Sequence, residues 1–457
     1  MRKTRKKMST KNNAPNEMGT AEIGKLLISY ALPSIAAQMV SSIYNVVDGI
    51  FIGRGVEPLA IAGFGITLPL MNLATAFGAL VGAGGGTLIS IKLGQKDKDG
   101  ANHVLGNVVV MNIVIGLLVM LTGLLFMDKI LVLFGASDDT ISYARDFMEV
   151  ILFGNVITHL YFGLLCALRS SGFPQKAMMI TMLSVVVNIM LCPLFIFVFE
   201  LGIRGAALAT VIAQSFGLMI LIRHFADKEK YISFHSKFLR LKADIVKGIV
   251  SVGLSPFMMN ICACLVVIII NNQLKIYGGD YAIGAYGIVN KMLMLFAMLV
   301  LGLNQGMQPI AGYNFGAKKY DRVRDVFKKA VLYATVVMIF AFAICELFPH
   351  AICSIFTDDD NMIDISANAM RIIIVAFPIV GFQMVTSNFF QSIGKALTAA
   401  ILSTTRQLLF LLPALLVLPG FFSLNGVWYS MPFSDVMSTM LAVFLLRRQW
   451  KKLKAIN

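Results

Sequence analysis

Apolar residues fall in long runs along this chain, and the runs do not alternate as half-buried strands do. A bilayer core about 30 Å thick asks for roughly 20 mainly apolar residues per helix. Twelve runs meet that length. Six lie near 26–52, 59–83, 104–127, 145–168, 176–199 and 203–222. Six more lie near 247–272, 281–306, 328–349, 367–390, 397–419 and 424–446. A membrane barrel would alternate polar and apolar positions. The pattern predicts an all-α polytopic membrane protein with twelve transmembrane helices.

The twelve runs are two sets of six. At an offset of 222 residues, AIAGFGI at 60–66 lies over AIGAYGI at 282–288. Gly84 then meets Gly306, Gly94 meets Gly316, Lys96 meets Lys318 and Asp99 meets Asp321. Further on, Phe134 meets Phe356 and Gly172 meets Gly394, and at 221 residues Gly205 meets Gly426. Six spans is an even number, so both copies enter the membrane in one direction. They are expected as two six-helix bundles related by a pseudo-two-fold axis along the membrane normal. The expected domains are an N-terminal lobe over 26–222 and a C-terminal lobe over 247–446. Around them lie a flexible cytoplasmic tail over 1–25, an amphipathic cytoplasmic linker over 223–246 on the membrane surface, and a cytoplasmic tail over 447–457.

Charge fixes the orientation. With both termini in the cytoplasm, 31 of the 39 Lys and Arg residues fall on the cytoplasmic side, as the positive-inside rule requires. The net charge of +15 therefore reads as topology and anionic-lipid contact, not as a nucleic-acid footprint. Only 14% of residues are charged, against roughly 25% in soluble domains. No cleaved signal peptide is read at the N-terminus. The six cysteines lack zinc-ligand spacing. No P-loop, HExxH or GxSxG occurs, and the glycines of VGAGGGTLIS end a membrane helix, where close packing explains them. The chain reads as a transporter, not an enzyme, with no cofactor beyond a coupling ion.

Ionisable groups inside spans are few, and each is informative. Asp48, fifteen residues past Pro33 in the first span, reads as a titratable group coupling protonation to the shape of a bendable helix, or as a helix-end acid in the outer water layer. Asp435 in the twelfth span reads as functional or as a structural partner for Arg406 or Lys291. His159 reads as a hydrogen-bonded core group. Gln38, Asn45, Asn260, Asn290 and Gln305 are polar candidates for substrate contact or for bonds between helices. The 27 Met and 33 Phe suit an adaptable binding surface or simply fill helix interfaces.

Several segments resemble the multidrug and toxic compound extrusion (MATE) transporters, most of all their bacterial MepA-like branch. They are YNVVDGIFIGR at 44–54, ALRSSGFPQKA at 167–177, NIMLCPLFIF at 188–197, GIRGAALATVIAQ at 202–214 and NQGMQPIAGYNFGAKKYDRV at 304–323. The resemblance implies export of amphipathic, often cationic drug-like molecules in exchange for H⁺ or Na⁺, by a monomer in the bacterial inner membrane. It also implies that Asp48, Asn188 and Thr210 form the cation-coupling site and that Pro33 is the hinge of the first span. One departure stands out. Members often carry an acid four residues after the asparagine, and here that residue is Cys192. The loss of one charge favours H⁺ over Na⁺. The alternative from the same superfamily is a flippase for a lipid-linked precursor, suggested by the cationic Lys291 and Arg406.

Overall fold

A computed structural model describes residues 14–56 and 58–454, without the side chains at 14–16, 44–46, 54, 58 and 452–454. Every regular element among the described residues is helical. Six helices are single spans: Ile23–Gly53, Leu59–Gly94, Lys98–Leu133, Pro174–Val198, Gly202–Ala226 and Tyr320–Leu347. Two more, Ala243–Gly316 and Ala396–Lys451, hold 74 and 56 residues. At 1.5 Å per residue these would be about 110 and 85 Å long, far beyond one bilayer crossing. Each is interrupted once, at Gly279 (φ 64°, ψ −161°) and at Ser423 (φ 50°, ψ −134°). Each therefore supplies two spans.

The remaining two are bent. Ile141–Phe153 meets Asn155–Ser170 at 55°, and Asp360–Ile374 meets Phe377–Ser392 at 56°. Gly154 stands at the first bend, and Pro378 in the opening turn of Phe377–Ser392 at the second. These residue types account for sharp kinks. The count among the described residues is twelve spans, as the apolar runs predict.

The 222-residue echo extends from residue identity to backbone geometry. The bends fall at Gly154 and Ala376, 222 residues apart. Lys96 and Lys318 share a left-handed conformation, φ 60° and 57°, and Gly172 and Gly394 share φ 98° and 72°. A lysine there carries a steric cost. At Lys96 the helix end offsets it: the Asp97 N–H donates to the Lys92 carbonyl at 2.9 Å, closing the helix around the left-handed residue. Asp97 then caps the next helix by accepting from the Gly100 N–H at 2.8 Å. The Lys92 ammonium and that N–H hold its carboxyl below the usual range.

Packing divides the chain into two units. One holds the residues up to Ala21 with Ala36–Phe257 and Gly312–Lys318; the other holds Glu22–Ile35, Met258–Ala311 and the chain from Lys319. These boundaries differ from the expected lobes at the first and seventh spans. Each of those spans is shared between the units, and the change of unit comes just past a proline, Pro33 or Pro256.

Glycine makes the shared spans fit. In the first unit, Gly84 and Gly253 lie so close to the carbonyls of Ile249 and Leu80 that neither can carry a Cβ. Gly94 and Gly316 do the same against Tyr313 and Ile91. In the second unit, a Cβ on Gly302 or Gly306 would stand 2.6 Å from the Cα of Ile35 or Ala31. Small residues let membrane helices approach this closely.

Of the segments expected outside the spans, residues 1–13 and 455–457 lie outside the described residues, and the rest is held in place. Ala14–Thr20 is helical, and Met18 is buried with its carbonyl accepting from Asn314 Nδ2 at 2.9 Å. The linker is tied to the third span. Asn102 accepts from the Ser233 N–H at 3.0 Å, and Asn107 accepts from the Lys242 N–H at 2.9 Å. The ring of Phe238 is buried beside them. The C-terminal segment continues the last helix to Lys454.

Gly253→Ala should lower thermal stability by about 1–3 kcal/mol, the usual cost of overpacking. Gly65→Ala, where a Cβ meets nothing within 4 Å, should leave it unchanged or raise it slightly. Melting curves of the two purified variants test this. Equal midpoints would show that the close approach of Gly253 is not tight.

Candidate functional site

Two buried acids sit in spans among the described residues, one in each unit, and their surroundings differ. Asp48 lies near the far end of Ile23–Gly55 and is buried. The Cys192 thiol, fully buried in the last turn of Pro174–Pro193, lies against its carboxylate. Asn188 is one helical turn before Cys192, so the two share a face. Asn188 Nδ2 donates to Thr210 Oγ1 at 3.3 Å, and Thr210 Oγ1 donates to the Ala206 carbonyl at 3.1 Å. Asn188 Oδ1 is buried and accepts from no group among the described residues. Buried carbonyl oxygens normally have a partner.

The cluster rests on a wall of apolar side chains. Ile52, Leu70, Phe147, Ile196 and Ile203 are among the buried residues around Cys192. Dry walls make burying a charged carboxylate costly and strengthen each hydrogen bond to it. The oxygens of Asp48, Asn188 and Thr210 can accept from a proton donor or face a cation. The neutral thiol is a soft group and a poor ligand for a hard cation.

Asp435 has a strong partner. Arg406 Nε donates to Asp435 Oδ1 at 2.8 Å, and Nη2 lies 2.8 Å from the same oxygen. The Asp435 side chain is 7% exposed and that of Arg406 34%. Arg406 sits in a π-helical stretch, Thr405–Leu411, and such stretches shift side chains from the regular helical register. Ser434 Oγ donates to the Arg406 carbonyl at 2.8 Å and Thr439 Oγ1 to the Asp435 carbonyl at 2.7 Å. Neither Ser434 nor Thr439 was singled out by the sequence. The spacing SDVMST around Asp435 is the signal that could have found them.

The other sequence candidates are dispersed. Pro33 is buried inside the first helix and belongs to the second unit with Asn260, Asn290, Lys291 and Gln305. Gln38 is half-buried in the first unit. The side chain of Asn45 lies outside the described residues. Lys291 is exposed, with its ammonium 5.6 Å from the centre of the Phe356 ring. His159 departs from its expectation: it is buried, yet neither ring nitrogen has a partner among the described residues. Thr158 beside it donates to Gln214 on the sixth span.

Comparison with known proteins bears on the family and the fold. The MatE family profile matches residues 33–194 and 256–416. The chain is 28% identical to the multidrug export protein MepA of Staphylococcus haemolyticus over 426 residues, covering 93% of this chain and 94% of that one. It is 27% identical to MepA of Staphylococcus aureus over the same shares. A MATE crystal structure in a bent conformation superposes with a TM-score of 0.92 at 22% identity, covering 97% of this chain and 98% of that one. A MOP superfamily transporter from Pyrococcus furiosus superposes with a TM-score of 0.90 at 22% identity, covering 96% and 98%. The chain belongs to the MatE family and is a MATE transporter of the MepA-like kind.

Proposed function

We propose that this protein is a proton-driven antiporter of the bacterial cytoplasmic membrane that exports amphipathic, often cationic organic compounds by alternating access. Membership of the MatE family and the multidrug-export relatives supply the substrate class. The observation that carries the coupling is the buried Asp48 held by the Cys192 thiol. A charged Asp48 is acceptor-only and takes the thiol hydrogen. Once protonated, it becomes a donor as well, and Asn188 Oδ1 is an acceptor without a partner among the described residues. Protonation thus rewrites the contacts of the helix that carries Asp48. A ligand or proton shifts a conformational equilibrium only through such a difference between states.

The donor set favours a proton over sodium. One carboxylate, an amide oxygen and a hydroxyl remain where relatives often place a second acid. The lipid-flipping alternative loses support in the second unit. Its cationic cast came from Lys291 and Arg406, and Arg406 is neutralised by Asp435. The bias of basic residues supports cytoplasmic termini, and a monomer contains both halves of the machine.

Asp48→Asn should abolish uptake of an ethidium-like cation into inverted vesicles energised by an imposed pH gradient, with the protein still inserted and monodisperse. Undiminished transport in that variant removes the coupling assignment. Cys192→Asp restores the second acid and should make transport respond to an imposed Na⁺ gradient; a response to H⁺ alone would show that this position does not select the ion. Asp435→Asn should leave pH-driven transport largely intact and lower stability by about 2–3 kcal/mol. That is less than the roughly 3–5 kcal/mol of a fully buried pair, because Arg406 is a third exposed. Loss of transport at unchanged stability would move the coupling role to Asp435.

A further inference from the structure

The twelfth span ends in LLRRQWKKLK over 445–454. Phe444, Arg447, Arg448 and Lys451 recur at i, i+3, i+4 and i+7, so they share one helix face. With Trp450 they line a groove of about 530 Å³, within the roughly 300–1,000 Å³ of small-ligand sites. Trp450 is fixed from behind: its ring lies 5.8 Å from that of Phe327 and 5.8 Å from that of Phe389, both buried.

The charge of this groove is uncompensated. Elsewhere Arg145, Arg204 and Lys92 each lie against a carboxylate. Among the described residues Arg447, Arg448 and Lys451 have no such partner. The one acid of Leu412–Lys454 is Asp435, already held by Arg406. Favourable interaction with the helix dipole explains cations in a last turn. It does not explain the exposed Phe444 in register one turn deeper, or the indole beside them.

We propose that this groove binds the headgroup of an anionic phospholipid from the cytoplasmic leaflet. Arg447, Arg448 and Lys451 hold the phosphate, the Trp450 N–H is a further donor at the interface, and an acyl chain lies along Phe444. Guanidinium groups suit phosphate oxygens in paired hydrogen bonds. The order of residues matches the order of layers in a leaflet: apolar first, then three cations toward water. The proposal rests on the orientation that puts the C-terminus in the cytoplasm, and it is independent of the coupling ion and the exported substrate.

The test uses the full-length protein in detergent micelles, with lipid occupancy read by native mass spectrometry and by thermal shift. The probes are phosphatidylglycerol, phosphatidylcholine and inorganic phosphate. Phosphatidylglycerol should bind and raise the melting temperature, and the other two should not. Combined Arg447→Gln, Arg448→Gln and Lys451→Gln should weaken phosphatidylglycerol binding about 100-fold, from the usual contribution of each cation near an anionic surface. Phe444→Ala, at an exposed site where truncation leaves no buried cavity, should weaken lipid binding on its own. A control variant with Arg223→Gln, Lys228→Gln and Lys237→Gln in the linker should bind as the parent does. The proposal falls if the Gln variant or Phe444→Ala binds phosphatidylglycerol as tightly as the parent, or if the linker variant loses binding equally. It also falls if inorganic phosphate saturates the groove as well as the lipid does, which would make it a site for free phosphate.

Discussion

Hydrocarbon offers no hydrogen-bond partner, so each polar group inside a bilayer must find one within the protein. This constraint makes every regular element among the described residues a helix. It also limits where helices break. The bends at Gly154 and Ala376 and the interruptions at Gly279 and Ser423 each fall where a glycine, a nearby proline or a change of direction accounts for them. Side chains obey the same rule. Asn102 and Asn107 meet the backbone of the linker, and Asn314 meets the Met18 carbonyl.

The two buried acids behave differently because their partners differ. Asp435 faces a guanidinium, and the pair is neutral as it stands. Removing either member would strand a charge. Asp48 faces a thiol, a neutral and weak donor. A fixed ion pair suits a scaffold, and a carboxylate beside a neutral thiol suits a group that changes state.

Duplication explains the regularity of the fold and also its limit. Lys96 and Lys318 share a backbone conformation that few lysines adopt, and Gly172 and Gly394 share another. Such features persist because the turn geometry that needs them occurs in both copies. The acids are not duplicated: the residue 222 positions after Asp48 is Ile270. The scaffold is repeated, and the chemistry is placed on it separately.

The sequence alone determined the twelve spans, the repeat, the charge bias and the family, because each depends on local composition or on order along the chain. It also marked Asp48 and Cys192 as notable. Tertiary structure decided that these two touch, since the contact joins residues 144 positions apart on different helices. It decided that Asp435 takes Arg406 and not Lys291, through a π-helical register that no periodicity announces. It gave Glu22–Ile35 to the unit that holds Gly302 and Gly306, because those glycines let the backbones approach closely. It also tied the linker to Asn102 and Asn107, where amphipathic spacing alone suggested lipid. Pattern along a chain fixes which residues seek burial or water, and which neighbour satisfies each is settled only when the helices pack.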